Sequence, residues 1–322
     1  LQELRWNPLL GTYTMMAAAR NKRPQLPEDI CPFCPPNNNL SNNYTVCSYD
    51  NDYPVMYLQA SKASHIAGPY HSMPPYGKCA VILYDSDHHK TLAQFTPAEY
   101  IQLIYHWQRR HTALSENHLL KYIFIFENKS EEVGVTLHHP HGQLYAYPFI
   151  PLKIETELRN AKPYYENKYE NLFDAIIRRE QNDKKSIILE YENFIALIPY
   201  FTDYLFGVFI IAKKSDMPTF HNFTEYTTND LAHILQKILA AFDKIYDRSF
   251  PYMKCIHQAP IHTYEYTDCE NYFRFHIEFY PPLRATNKIK YYASSEMGAW
   301  AAANPTDIDK NASLLKNLII TI

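Results

Sequence analysis

Glycine is scarce in this chain, with 7 in 322 residues against 22 prolines. That excludes Gly-rich linkers and leaves the turns to Pro and Asn, which set backbone geometry by a fixed φ and by local side-chain hydrogen bonds. Runs of one charge sign are also missing. With 31 Lys and Arg against 34 Asp and Glu, and a net charge of -3, the chain lacks both the basic footprint that holds nucleic acid and a basic membrane patch. Phosphate recognition therefore has to be local. The longest apolar run, Leu205 to Ala212, falls far short of the roughly 20 residues that cross a bilayer. No secretory pattern opens the chain. Six cysteines, four of them single, do not make the spaced set of a disulfide framework and point to a reducing cytoplasm.

What is present is globular. Hydrophobic residues make up 46% and Tyr alone contributes 28, ample core for one large domain or two medium ones. A faint internal repeat favours two. Val81-Ile-Leu-Tyr84, then Phe95-Thr-Pro-Ala-Glu99 and a helical pattern, matches Val208-Phe-Ile-Ile211, then Phe223 to Asn229 and a helical pattern; the shift at the strand is 127 residues (81 to 208). Thr96, Pro97 and Glu99 form a capping box with Pro at the first helical position. Leu231, Ile234, Leu235, Ile238, Phe242 and Ile245 recur at helical spacing. Two strand-like runs follow each helix: residues 121–128 and the stretch from His138 in the first half, Tyr252 to His257 and Asn271 to Tyr280 in the second. The order implies an α+β fold of two duplicated half-domains, residues 1–156 and 157–322.

The chemistry concentrates in His138-His139-Pro140-His141-Gly142-Gln143. As a strand, this stretch would place His139, His141 and Gln143 on one face. Pro140 removes a donor and Gly142 admits close approach, which suits an edge or a bulge better than a central ladder. An imidazole whose other nitrogen is hydrogen-bonded is a competent nucleophile at neutral pH, because unlike Lys it has no proton to lose first. Attack on phosphorus gives a phosphoramidate. Gln143 offers a neutral donor to phosphoryl oxygens without adding a base that could activate water. A lone His is more often a hydrogen-bonded group in a half-buried sheet, but this one has polar company.

Here the residues resemble a family, the galactose-1-phosphate uridylyltransferases, the transferase branch of the histidine-triad superfamily. His139-Pro140-His141-Gly142-Gln143 carries the resemblance, with Phe126-Glu127-Asn128-Lys129 upstream. It implies antiparallel histidine-triad-like half-domains with flanking helices, His141 as the nucleotidylated nucleophile, and Gln143, Asn128, Gly134 and Thr136 at the phosphates. Arg20-Asn21-Lys22-Arg23-Pro24 looks like the family's basic turn, whose Arg20 and Arg23 would clamp phosphates bidentately. Asn51-Asp52-Tyr53-Pro54 resembles the ribose and uracil element. Lys290 and Glu296 match contacts to the sugar phosphate, while the Gln expected about six residues after Glu296 has no counterpart in residues 298–303.

Cys31-Pro-Phe-Cys34 is by spacing half a zinc site, a redox pair or two free thiols. The resemblance supplies His88 and His139 as the other ligands, a closed Cys2His2 set that implies a structural zinc ion. It implies a second site, for iron or zinc, at Glu157, His257, His276 and Glu278, where the common His-x-His before Phe-Tyr-Pro-Pro is replaced by His276-Ile-Glu278. The implied activity is transfer of UMP from UDP-glucose to galactose 1-phosphate through a uridylyl-histidine, within galactose metabolism, by a cytoplasmic homodimer. Two rivals stand beside it: a nucleoside-diphosphate-sugar phosphorylase or adenylyltransferase using inorganic phosphate or another sugar 1-phosphate, and a non-catalytic, zinc-containing nucleotide-binding protein.

Overall fold

A computed structural model describes residues 2–22, 31–34, 40, 43–60, 62–64 and 68–322. Its first half holds β1 (Gln2–Asn7), β2 (Thr12–Ala17), β3 (Cys47–Asp50), β4 (Ser72–Met73), β5 (Lys78–Leu83), α1 (Pro97–Ser115), β6 (Tyr122–Lys129) and β7 (His141–Tyr147). Then come α2 (Leu152–Lys168), α3 (Leu172–Asp183), β8 (Ile187–Glu190), β9 (Phe194–Leu197), β10 (Phe209–Ala212), α4 (Glu225–Lys244), β11 (Tyr252–His257) and β12 (His276–Tyr280). The short pair β13 (Leu283–Ala285) and β14 (Lys288–Ile289) and a last helix, α5 (Ile308–Ile320), complete the chain.

One antiparallel sheet organises the molecule, in the order β3-β5-β7-β6-β11-β12-β10-β9-β8. Read outward from the β6/β11 pair, β7, β5 and β3 on one side answer to β12, β10 and β9 on the other, which is the duplication expected from the repeat. The ladder shifts its register by one residue. Val81 faces Gln143 and Phe209 faces Glu278, so Val81 corresponds to Phe209 and the shift is 128 residues, not 127. α2 runs through residues 156 and 157, so the boundary expected from the sequence falls inside a helix, and the sheet is continuous across the β6/β11 ladder.

The two faces of the sheet carry different cores. On the helix face, Ile123, Ile125, Leu144, Ala146, Ile256, Ile277 and Phe279 pack under α1, α4 and α5. The capping box forms as expected, Thr96 accepting from the Glu99 amide and Glu99 from Thr96. The apolar stripe of α4 is fully buried at Leu231, Ile234, Leu235, Ile238 and Phe242. On the other face, Phe124, Phe126, Tyr145 and Tyr147 pack against Ile154, Leu158 and Ala161 of α2, and Ile177 of α3 packs on Ile195, Leu197 and Ile211. This second face carries the site.

Candidate functional site

His141 opens β7, and β7 lies inside the sheet between β5 and β6, not at an edge or a bulge. Pro140 stands one residue before the ladder, where its missing N–H costs nothing, and its carbonyl accepts from Tyr84 N at 3.3 Å. Gly142 is needed for the hydroxyl of Tyr84: a Cβ there would stand 2.3 Å from that oxygen. The strand starts at His141, so His139 lies just before the ladder; it is fully buried and borders the same cavity as His141. His141 and Gln143 do share the site face. Gln143 stands opposite Phe126, and Asn128 lies two residues on along the same face of β6.

His141 Nδ1 donates to the carbonyl of His139 at 2.8 Å. The proton is thereby held on Nδ1, and Nε2 is the basic nitrogen. His141 and Asn128 line a cavity of about 450 Å³ with Glu131, Glu132 and Arg248. The loop from β6 to β7 is shaped by left-handed backbone at Ser130 and Gly134 (φ +88° and +80°), and the Gly134 amide donates to Glu131 O at 2.8 Å. Thr136 lies in the same loop. Glu132 of this loop pairs with Arg248, which follows α4, so the second half of the chain holds the loop in place.

The other expected contacts lie further off. Arg20 stands half-buried in the 3-10 turn Ala18–Lys22, and Arg23 lies outside the described residues. Asn51 follows the edge strand, donating its amide to Cys79 O (3.2 Å) and accepting from Tyr53 N (2.9 Å); Asp52 is exposed and accepts from Tyr49 (3.0 Å). Cys79 faces Tyr145, four residues along β7 from His141, which is about 13 Å at a strand's rise. Lys290 and Glu296 line a separate cavity of about 770 Å³, with Lys153, Tyr204 and Tyr292. Glu132 lines both cavities and so forms a wall between them. Lys290 is buried, donates to the carbonyl of Asp203 and lies over the Tyr204 and Tyr292 rings at 5.1 and 5.2 Å; burial lowers its pKa.

Two clusters could hold metal ions. In the first, Cys34 Sγ stands 3.3 Å from His88 Nδ1 and 3.5 Å from His139 Nδ1, and Cys31 Sγ 3.7 Å from His139 Nδ1. Ligands on a tetrahedral zinc ion lie roughly 3.3–3.8 Å apart, so the donor set fits. His139 Nε2 donates to Asp85 O at 2.8 Å, which turns the Nδ1 lone pair toward the thiols, the orientation a metal-bound imidazole takes from its outer hydrogen bond. In the second, His257 Nδ1 donates to Glu157 at 3.0 Å and His276 Nδ1 to the Arg274 carbonyl at 2.8 Å. Both Nε2 atoms then point toward Glu278, at 3.8 and 3.4 Å. All four donors in each cluster lie within 4.8 Å of one another. Lys153 of α2 also pairs with Glu278. Burial works to raise the Glu278 carboxyl, but His257, His276 and Lys153 hold it well below the usual range.

The model of the galactose-1-phosphate uridyl transferase N-terminal domain matches residues 1–151, and that of the C-terminal domain matches residues 157–295. This chain belongs to the galactose-1-phosphate uridylyltransferase family. A galactose-1-phosphate uridylyltransferase of Thermotoga maritima is 34% identical over the whole length of both chains. One of Saccharomyces cerevisiae is 28% identical, covering 89% of this chain and 86% of its own. A solved structure described as a uridylyltransferase superposes with a TM-score of 0.88 at 25% identity, covering 99% of each chain. Against the family motif, Lys153, Arg248 and Glu132 are residues that sequence reasoning missed. No local pattern marks them, because Lys153 pairs with Glu278 and Glu132 with Arg248, partners more than a hundred residues apart in the chain.

Proposed function

We propose that the chain transfers UMP from UDP-glucose to galactose 1-phosphate through a covalent intermediate on His141. The observation that carries this reading is the Nδ1–H to His139 carbonyl bond, beside Asn128 and Gln143 on one face. His141 Nε2 attacks the α-phosphorus, an N–P bond forms, the P–O bond to the β-phosphate breaks, and glucose 1-phosphate leaves with the electron pair. The positive charge left on the imidazole is shared with the His139 carbonyl through Nδ1–H. In the second half-reaction an oxygen of galactose 1-phosphate attacks the same phosphorus, and the N–P pair returns to Nε2. Asn128, Gln143 and the Gly134–Thr136 loop hold the phosphoryl oxygens, where preorganised donors contribute about 3 kcal/mol each. Arg20 and Arg23 clamp the remaining phosphate, Asn51 and Asp52 take the nucleoside, and Lys290 and Glu296 take the sugar phosphate.

Cys31, Cys34, His88 and His139 hold a structural zinc ion, which pins the backbone just before the nucleophile; a closed ligand set of this kind offers no open position for catalysis. Glu157, His257, His276 and Glu278 take iron or zinc. We assign residues 1–156 and 157–322 to the two half-domains, and a cytoplasmic homodimer as the working form. The stretch 298–303, which has no Gln, favours the phosphorylase as the second reading. Intact-mass measurement after incubation with UDP-glucose tests the transfer: a UMP adduct discharged by galactose 1-phosphate is expected. Absence of an adduct overturns the reading, and discharge by inorganic phosphate alone replaces it with the phosphorylase.

A further inference from the structure

Behind the strand start that carries His141, on the helix face of the sheet, lies a charge pair shut off from solvent. Lys254 on β11 and Glu127 on β6 are cross-strand partners. Nζ stands 2.6 Å from Oε2, with the side chains 0% and 6% exposed. Tyr84 donates to Oε2 at 3.1 Å and Tyr252 to Oε1 at 3.0 Å. The ammonium also lies over the rings of Trp107 and Tyr84, at 5.1 and 5.6 Å.

Such a pair gains little stability over apolar groups of equal volume, because the desolvation of two charges offsets most of their attraction. What it does provide is direction. Glu127 precedes Asn128, and alternation puts their side chains on opposite faces of β6. Tyr84, oriented by the carboxylate, occupies the space beside Gly142, the residue between His141 and Gln143. The pair itself crosses the β6/β11 seam, where the two halves of the sheet join.

We propose that Glu127, Lys254 and Tyr84 are positioning residues for the uridylyl transfer. The buried ion pair fixes β6 against β11, and Tyr84 fixes the depth of β7 at Gly142, so that Asn128, His141 and Gln143 keep their relative places. The proposal rests on the reading of His141 as the nucleophile.

The Glu127→Leu/Lys254→Met double variant removes both charges together and leaves none unpaired. The buried hydroxyls of Tyr84 and Tyr252 lose their acceptor, so the variant should fold but melt several degrees below the wild type. Its single-turnover rate of adduct formation at saturating UDP-glucose should fall roughly 10- to 100-fold, with KM changed less than about threefold, the loss expected of a small misplacement of reacting groups. Tyr84→Phe, which keeps the ion pair and the ring, should slow the same step by roughly 3- to 10-fold. A folded double variant that is uridylylated at the wild-type rate, or whose loss lies in KM alone, overturns the proposal. If the double variant does not fold, Tyr84→Phe decides: a wild-type rate overturns the proposal, and a slower rate at unchanged KM supports it. Failure of the wild type to form an adduct would overturn the His141 reading instead, so the two failures are distinct.

Discussion

His141 and His276 hold equivalent places in the two halves of the sheet. Each is the first residue of its strand, and each donates Nδ1–H to the carbonyl two residues earlier at 2.8 Å. Phe126 stands opposite Gln143 as Cys255 stands opposite Glu278, and His257, facing His276, takes the place that Asn128 has beside His141. The duplicated frame thus holds two imidazoles with the same tautomer and opposite surroundings. Beside His141 on its face of the sheet stand the neutral amides of Asn128 and Gln143, and Glu132 in the same cavity is paired with Arg248; close to His276 stand the carboxylates of Glu157 and Glu278, at 3.7 and 3.4 Å. A carboxylate pair repels phosphate and attracts cations.

The chemistry is therefore expected to be confined to one half. Tandem mass spectrometry of protein quenched after UDP-glucose should find UMP on the peptide that contains His141 and none on the one that contains His276. His141→Gly should abolish the adduct while leaving UDP-glucose binding within about tenfold, since the ring acts on the phosphorus and adds little to ground-state affinity. A modified His276 peptide would show that surroundings do not divide the roles.

The same frame explains how much could be read in the sequence. The capping box at Thr96 and the stripe of α4 were legible because they depend on neighbours within one helix. The repeat was legible, but one residue out of register. β10 is covered on both faces, by Ile210 and Ala212 on one side and Phe209 and Ile211 on the other, so its apolar run has no alternation to set the phase. That the ladder begins at His141, with His139 just before it, is likewise not visible in composition. The role of His139 as a candidate metal ligand came through the family likeness, and the geometry brings this residue to Cys31 and Cys34. Lys153 and the Glu127–Lys254 pair were invisible, because each joins elements more than a hundred residues apart.

Zinc loss should unfasten the start of β7. Cys34 touches both His88 and His139, so Cys34→Ser should lower the zinc content from about one per chain to well below half, because a hydroxyl is a poor replacement for a thiolate. The melting temperature should fall by at least about 5 °C, the scale of a loss of a few kcal/mol in a chain of this size. Adduct formation should slow as His139, and with it the carbonyl that orients His141, loses its anchor. Purified wild-type protein with no zinc by elemental analysis would end this assignment.

Lys153 competes with any metal at the second cluster. Its ammonium pairs with Glu278 and contacts the Tyr280 hydroxyl, so a divalent ion that takes Glu278 as ligand must break a charge-assisted bond. Such bonds contribute about 1.5–3 kcal/mol. Lys153→Met should therefore tighten zinc or ferrous iron at this site by roughly 10- to 100-fold, measured by competition against a chromogenic chelator in protein whose first site is loaded. Unchanged or weaker affinity would mean that Glu278 is not a ligand.

Acid should destabilise the fold through two histidines of α1. His106 and His111 are 9% and 1% exposed. Burial, helped by Arg109 and Arg110, pushes His106 down to about 4; burial, helped by His221, pushes His111 down to about 3. In the unfolded chain both titrate near the ordinary histidine value of about 6.5. Below that pH the unfolded state binds protons that the native state refuses, so stability rises with pH. The contribution is complete above about pH 6.5 and is lost as the pH falls toward the two native values, at up to about 1.4 kcal/mol per unit for each ring. His111 Nε2 has no hydrogen-bond partner among the described residues, and the Ser115 hydroxyl that meets Nδ1 at 3.4 Å keeps its bond to the His111 carbonyl at 2.8 Å, so His111→Leu removes a titrating group without orphaning another. Urea unfolding at pH 7 and pH 5 should show the wild type losing about 2 kcal/mol more than His111→Leu over that interval. Equal losses would mean that His111 becomes protonated in the native state above pH 5.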